Sequence, residues 1–287
     1  MVANKLQKYA FIQKSKRQEE SIYNVYLYYA FLAITHSFFV SLQISATVRA
    51  EAARSAHKKP ITMEHSIQEN LNAVRASLRP GVRLIAVSKT KPVEDVQQAY
   101  DAGQRLFGEN HALEMRDKHA VLPADIEWHF IGHLQSNKVK YIAEYVSMIH
   151  SIGSLPLLQV VEKEAAKHDR VIDCLLQFHI ATEETKFGLD MQEAEALLQS
   201  EAYRAMRHVR IVGVMGMATN TENLQLVRSE FVHLREIFSQ LKARYFAQQD
   251  SFREISMGMS HDYPIAMEEG STMVRIGSAI FGARNYN

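Results

Sequence analysis

In Ser88-Lys89-Thr90-Lys91-Pro92 a lysine follows an uninterrupted apolar run, Leu84 to Val87, which makes it the first candidate for covalent chemistry in the chain. An amine at a strand end that opens into a cavity loses hydration, so its ammonium form is disfavoured and the free amine becomes available to form an imine with a carbonyl compound. Lys91 lies nearer the loop, and Pro92 stops the strand. A lysine snorkelling out of a strand end leaves the same trace in the sequence, so Lys89 alone specifies little. A second group of residues points to an anion. Ser256-Met257-Gly258-Met259-Ser260 and Val274-Arg275-Ile276-Gly277-Ser278 each place glycine and serine directly after a short apolar run. Glycine lets backbone N–H groups approach phosphate oxygens, and the start of a following helix adds to the attraction. Ser260, Gly277 and Ser278 are the candidate phosphate contacts, although Gly258 and Gly277 could instead serve tight turns. Arg275 either faces a ligand or forms half of an interior ion pair.

Other polar residues also follow apolar runs. Asn110, in Phe107-Gly108-Glu109-Asn110, could hydrogen-bond a ligand or cap the next helix. His129 and His133 could line a pocket or pin a loop, and Lys186 suits a salt bridge as well as a site. Met215 and Met217 suit packing as well as contact with a ligand.

These residues must be positioned by a regular scaffold, and the hydrophobic pattern supplies one. Runs rich in Val and Ile alternate with stretches of helical period, as in repeated βα units around a parallel sheet. Eight strands are predicted: Leu84 to Val87, Arg105 to Phe107, Trp128 to Ile131, Met148 to His150, Ile172 to Ile180, Arg210 to Met215, Arg253 to Ser256 and Met273 to Ile276. The clearest helix runs from Glu222 to about Tyr245, with Leu224, Val227, Phe231, Leu234, Phe238 and Leu241 along one face. Eight such units, with no GxGxxG turn after the first strand, predict an α/β fold of one (β/α)8 TIM-type barrel rather than an open doubly wound sheet. The candidate residues then gather on the carboxyl-terminal rim of the strands.

Lysine plus arginine (33) nearly balances aspartate plus glutamate (32), so no broad field favours nucleic acid and a small-molecule ligand is expected. The single cysteine, Cys174, cannot form an internal disulfide, and no Cys/His cluster has zinc-ligand spacing, which points to a reducing, cytoplasmic setting. Residues 1–62 do not match this pattern. Ile22 to Val48 contains no Asp, Glu, Lys or Arg and is long enough to span a bilayer. Charges on both sides leave its orientation poorly defined. A well-formed amphipathic helix from Ser66 to Leu78 follows Met63. The expectation is a barrel of residues 63–287 whose translation begins near Met63, with a membrane anchor through 22–48 as the alternative.

The stretches AVSKTKP, LFGEN, WHFIGHLQSNK, ETKFGL, GVMGMAT and SMGMSHDYPIAMEEGSTMVRIGSAIFGARNY occur in this order. Together they closely resemble the pyridoxal phosphate homeostasis proteins of the YggS and PROSC type, which are related to the barrel domain of alanine racemases. The resemblance covers about Met63 to Asn287. It implies pyridoxal 5'-phosphate as cofactor, Lys89 as the Schiff-base lysine, Ser260, Gly277 and Ser278 as phosphate contacts, Arg275 as partner of the pyridine nitrogen and Asn110 as a further pocket residue. A guanidinium in that place leaves the nitrogen unprotonated and the ring a poor electron sink. The implied role is intracellular vitamin B6 homeostasis without catalysis by a monomeric barrel, with apo-enzymes as recipients. His261 departs from the family's usual loop. The alternatives are an amino-acid racemase using the same lysine and a phosphosugar-type barrel without pyridoxal. A racemase of this type takes a second base from a following β domain, and Tyr286 stands too near the end of the chain to replace it, so a carrier is expected.

Overall fold

The computed structural model describes residues 66–183 and 187–283. Eight parallel strands close into a barrel in sequence order: β1 Arg83–Val87, β2 Leu106–Glu109, β3 Glu127–Phe130, β4 Met148–Ile152, β5 Ile172–Phe178, β6 Val209–Gly216, β7 Glu254–Ser256 and β8 Met273–Ile276. The closing pair, β1 with β8, aligns Arg83 with Met273 and Ala86 with Ile276. The helices are α1 Ile67–Ser77, α2 Val93–Asp101, α3 Ala112–His119, α4 Leu155–Lys167, α5 Met191–Gln199, α6 Glu201–Ala205, α7 Leu224–Tyr245, α8 Tyr263–Glu268 and α9 Ser278–Phe281, with a 3-10 turn at Ser136–Tyr141.

The strands read as continuous apolar runs because both of their faces are buried. Ile85, Met148, Leu175, Val212, Met215 and Met273 fill the inside of the barrel, while neighbours one residue away, such as Leu84, Ala86, Ile149 and Val274, pack outward against the helices. The eight expected strands all form, with shifts of one or two residues at their ends. β5 stops at Phe178 rather than Ile180, because the chain bends there into a bridge with Leu189. At α7 the buried stripe is Val227, Phe231, Leu234, Ile237 and Leu241. Leu224 is 59% exposed, and Phe238 is only partly buried. Ser66 caps α1 in a reciprocal box, accepting from the Glu69 N–H at 3.2 Å while Glu69 Oε2 accepts from the Ser66 N–H at 2.9 Å.

Among the described residues no helix is long and apolar enough to cross a membrane. The expected extension 1–62, the segment 22–48, the start at Met63, Lys186 and Tyr286 lie outside the described residues.

Candidate functional site

A pocket of about 170 Å³ opens at the carboxyl ends of the strands. The end of β1 and the turn after it contribute Val87 and Lys89, the residue after β2 is Asn110, and the chain after β7 contributes Met259, Ser260 and His261. β8 and the start of α9 contribute Arg275, Gly277 and Ser278. Lys89, Asn110, Ser260, Arg275, Gly277 and Ser278, scattered over nearly two hundred positions of sequence, therefore share one cavity. Among the described residues its lining includes Lys89, Lys91 and Arg275 but no Asp or Glu, so it favours an anionic ligand.

Close backbone approaches shape this pocket. A Cβ on Gly132 would lie 2.5 Å from the Asn110 carbonyl oxygen and 2.7 Å from its Cα, so only glycine lets the loops after β2 and β3 meet where Asn110 is set. Asn110 does not cap α3, whose N-cap is His111, and its Oδ1 is buried without a hydrogen-bond partner. An unpaired buried amide oxygen is costly unless a ligand donates to it. Gly258, at φ +95°, turns the chain after β7, and its carbonyl accepts from the Arg275 N–H at 2.9 Å. The first turn of α9 leaves N–H groups without intrahelical acceptors beside Ser260 and Gly277.

Arg275 is 4% exposed and forms no interior ion pair among the described residues. It donates instead to Ser256 Oγ at 2.6 Å and to the Gly216 carbonyl at 3.1 Å. Burial lowers its pKa to about 10, so the guanidinium stays charged near neutrality. Beneath it runs a chain of buried polar groups. Ser256 Oγ lies 2.9 Å from His150 Nδ1, and His150 Nε2 lies 2.8 Å from His129 Nδ1. Desolvation pushes His129 down to about 3 and His150 well below its ordinary value, so both imidazoles are neutral. His129 therefore belongs to the barrel interior rather than to the pocket lining. His133 is exposed, its ring 4.8 Å from that of Phe187, and does not line the cavity either. Met217 does line it, whereas Met215 packs inside the barrel. Lys91 is engaged elsewhere, donating to the Phe281 and Ala283 carbonyls at 2.7 and 2.9 Å.

Ser88 and Glu109, the sequence neighbours of Lys89 and Asn110, form a separate buried cluster. Ser88 Oγ donates to Glu109 Oε1 at 2.7 Å, and Lys118 Nζ reaches the same oxygen at 2.7 Å. Glu114 joins through Lys118 at 2.8 Å. Lys118 and Glu114 escaped the sequence reading because a Glu and a Lys four apart on a helix ordinarily mark a solvated face. Desolvation pushes the Glu109 carboxyl up to about 7 despite Lys118. An acid that binds its proton more tightly when folded contributes less stability as pH rises from its unfolded value, about 4.5, to its folded one. Glu109→Gln should therefore flatten the stability profile across that interval. Urea unfolding at about pH 5 and about pH 8 tests this. A wild-type and a variant with the same difference between the two pH values would discount the buried carboxyl.

The closed parallel barrel thus places a lysine after its first strand and an arginine on its last in one cavity. Residues 64–285 match the family described as alanine racemase, N-terminal domain. The chain is 40% identical over 228 residues to a pyridoxal phosphate homeostasis protein of Pasteurella multocida, covering 77% of this chain and 96% of that one. It is 38% identical over 205 residues to the protein of the same name in Aquifex aeolicus, covering 71% and 88%. Among solved structures, PipY of Synechococcus elongatus is 35% identical and is covered completely by 76% of this chain. It superposes with TM-scores of 0.71 without PLP and 0.68 with PLP bound. The chain belongs to the family of pyridoxal phosphate homeostasis proteins.

Proposed function

We propose that this protein binds pyridoxal 5'-phosphate at the barrel mouth and serves vitamin B6 homeostasis by holding and releasing the cofactor rather than by turning over a substrate. The observation that carries this reading is Arg275, a buried guanidinium with no carboxylate partner among the described residues, on the same pocket as Lys89. The residues present fit the cofactor. Lys89 Nζ would hold its aldehyde carbon, Ser260, Gly277, Ser278 and the first turn of α9 its phosphate, Arg275 its ring nitrogen, and Asn110 Oδ1 would gain a donor. Bound there, the cofactor would supply an electrophilic carbonyl and an aromatic ring able to take up electron density.

The chain's own residues restrain that chemistry. Arg275 donates hydrogen bonds and cannot accept a proton, so it leaves a facing nitrogen uncharged where an acidic side chain would protonate it. The support from relatives is their shared name and the PLP-bound PipY structure. In this reading a monomeric barrel in the cytoplasm passes the cofactor to apo-enzymes that need it. Borohydride reduction of the loaded protein, followed by peptide mapping, should place the cofactor on Lys89, and a separate, unreduced sample of the loaded protein should leave L-alanine optically unchanged. Labelling at Lys91 or nowhere would refute the assignment. Rapid loss of optical rotation would make the protein a racemase.

A further inference from the structure

Lys118 is 5% exposed, unlike most helical lysines. Its three ammonium donors meet three acceptors: the Ser88 carbonyl at 2.7 Å, Glu109 Oε1 at 2.7 Å and Glu114 Oε1 at 2.8 Å. Glu114 Oε1 also accepts from the Thr90 N–H at 2.6 Å. The Ser88 carbonyl belongs to the peptide group before Lys89, and the Thr90 N–H belongs to the one after it. Both peptide planes flanking Lys89 are thus gripped by side chains of a single helix, α3.

The turn they grip is strained. Thr90 has φ +64°, a left-handed conformation that a β-branched residue avoids. The Lys91 N–H closes the turn on the Ser88 carbonyl at 3.0 Å. Such a backbone persists where its surroundings over-determine it, and here the surroundings are Lys118 and Glu114. A buried ion cluster seldom improves on apolar packing in stability, so stability alone does not account for burying Lys118 among carboxylates.

We propose that Glu114 and Lys118 are positioning residues that lock the peptide groups on either side of Lys89 and so aim its amine into the pocket. This deepens, and rests on, the reading of Lys89 as the cofactor-bearing residue. Neither residue lines the cavity, so both act through the backbone of Lys89.

The test compares Glu114→Ala, which deletes the acceptor for the Thr90 N–H, with Glu114→Gln, which keeps an oxygen there. Two readouts apply. One is the affinity for pyridoxal 5'-phosphate by equilibrium dialysis. The other uses apoprotein and follows methylation of Lys89 by formaldehyde and cyanoborohydride, mapped by peptide mass against exposed Lys163. Glu114→Ala should bind the cofactor about tenfold more weakly, while Lys89, freed from its turn, is methylated at least about threefold faster relative to Lys163. Glu114→Gln should stay within about twofold of wild type in both. Glu114 is partly exposed, so its variants should fold. Should Glu114→Ala not fold, the double variant Glu109→Gln with Lys118→Met removes the ammonium from the Ser88 carbonyl together with its buried carboxyl partner, and the same pair of effects is expected. Wild-type affinity and methylation ratio in a folded Glu114→Ala or double variant would overturn the positioning role while leaving Lys89 as the cofactor residue. Wild-type protein that carries no cofactor on Lys89 would overturn the underlying reading and this role with it.

Discussion

Lys89→Ala should abolish the visible absorbance of cofactor-loaded protein while leaving its melting temperature within about 2 °C of wild type. The absorbance arises from the bond between amine and aldehyde, so deleting the amine removes it altogether. The fold should survive because Lys89 is only partly buried and belongs to neither hydrophobic cluster. Lys91→Ala is the control. That residue ties the end of α9 through the Phe281 and Ala283 carbonyls, so its loss should loosen the hold on residues 281–283 but keep the band. A Lys89→Ala protein with wild-type absorbance would show that another amine holds the aldehyde.

Gly213→Ala is expected to cost the protein its fold or a large share of its stability. β6 pairs with β7 at Gly213 and Glu254, beside an irregularity in the β5 to β6 register. A Cβ at Gly213 would lie 1.9 Å from the Glu254 carbonyl oxygen and 2.6 Å from its carbonyl carbon. Both are backbone atoms, so no side-chain rotation relieves the clash. β7 is three residues long, and Glu254 is held by Arg83 at 2.7 Å, which leaves little freedom to retreat. A loss above about 4 kcal/mol follows, or a fall in melting temperature of more than about 8 °C. Gly153→Ala is the matched control, because nothing lies within 4 Å of a Cβ there. Calorimetry showing Gly213→Ala melting near wild type would mean that the strands separate more freely than their register implies.

The barrel was legible because parallel strands buried on both faces announce themselves as short apolar runs, and Val274 and Ile276 flanking Arg275 are one such run. The six candidate residues were legible because they stand in or shortly after those runs, and a parallel barrel gathers strand ends on one rim. The interior chain was not. His150 meets His129 and Ser256 at separations of 21 and 106 residues, and no local spacing encodes that meeting. Arg275 left two readings open, since a guanidinium on a strand suits an ion pair as well as a ligand. Its contacts with Ser256 and Gly216 remove the ion pair among the described residues, and no local sequence feature announces them. Glu114 and Lys118 failed for a different reason. Their spacing is that of a solvated helix face, and their burial depends on how α3 lies against the ends of β1 and β2.

The line of buried groups under Arg275 has a sense of direction. A guanidinium never accepts, so Ser256 Oγ must receive its hydrogen, and the hydroxyl proton finds its acceptor at His150 Nδ1. His150 then carries its proton on Nε2 and passes it toward His129 Nδ1, which leaves His129 protonated on Nε2. Turning this row around would strand the serine proton in a dry interior. The inside of the barrel is therefore polarised end to end, with one cation dictating the tautomer of two rings on other strands, and any ligand that draws on Arg275 tugs on the whole row.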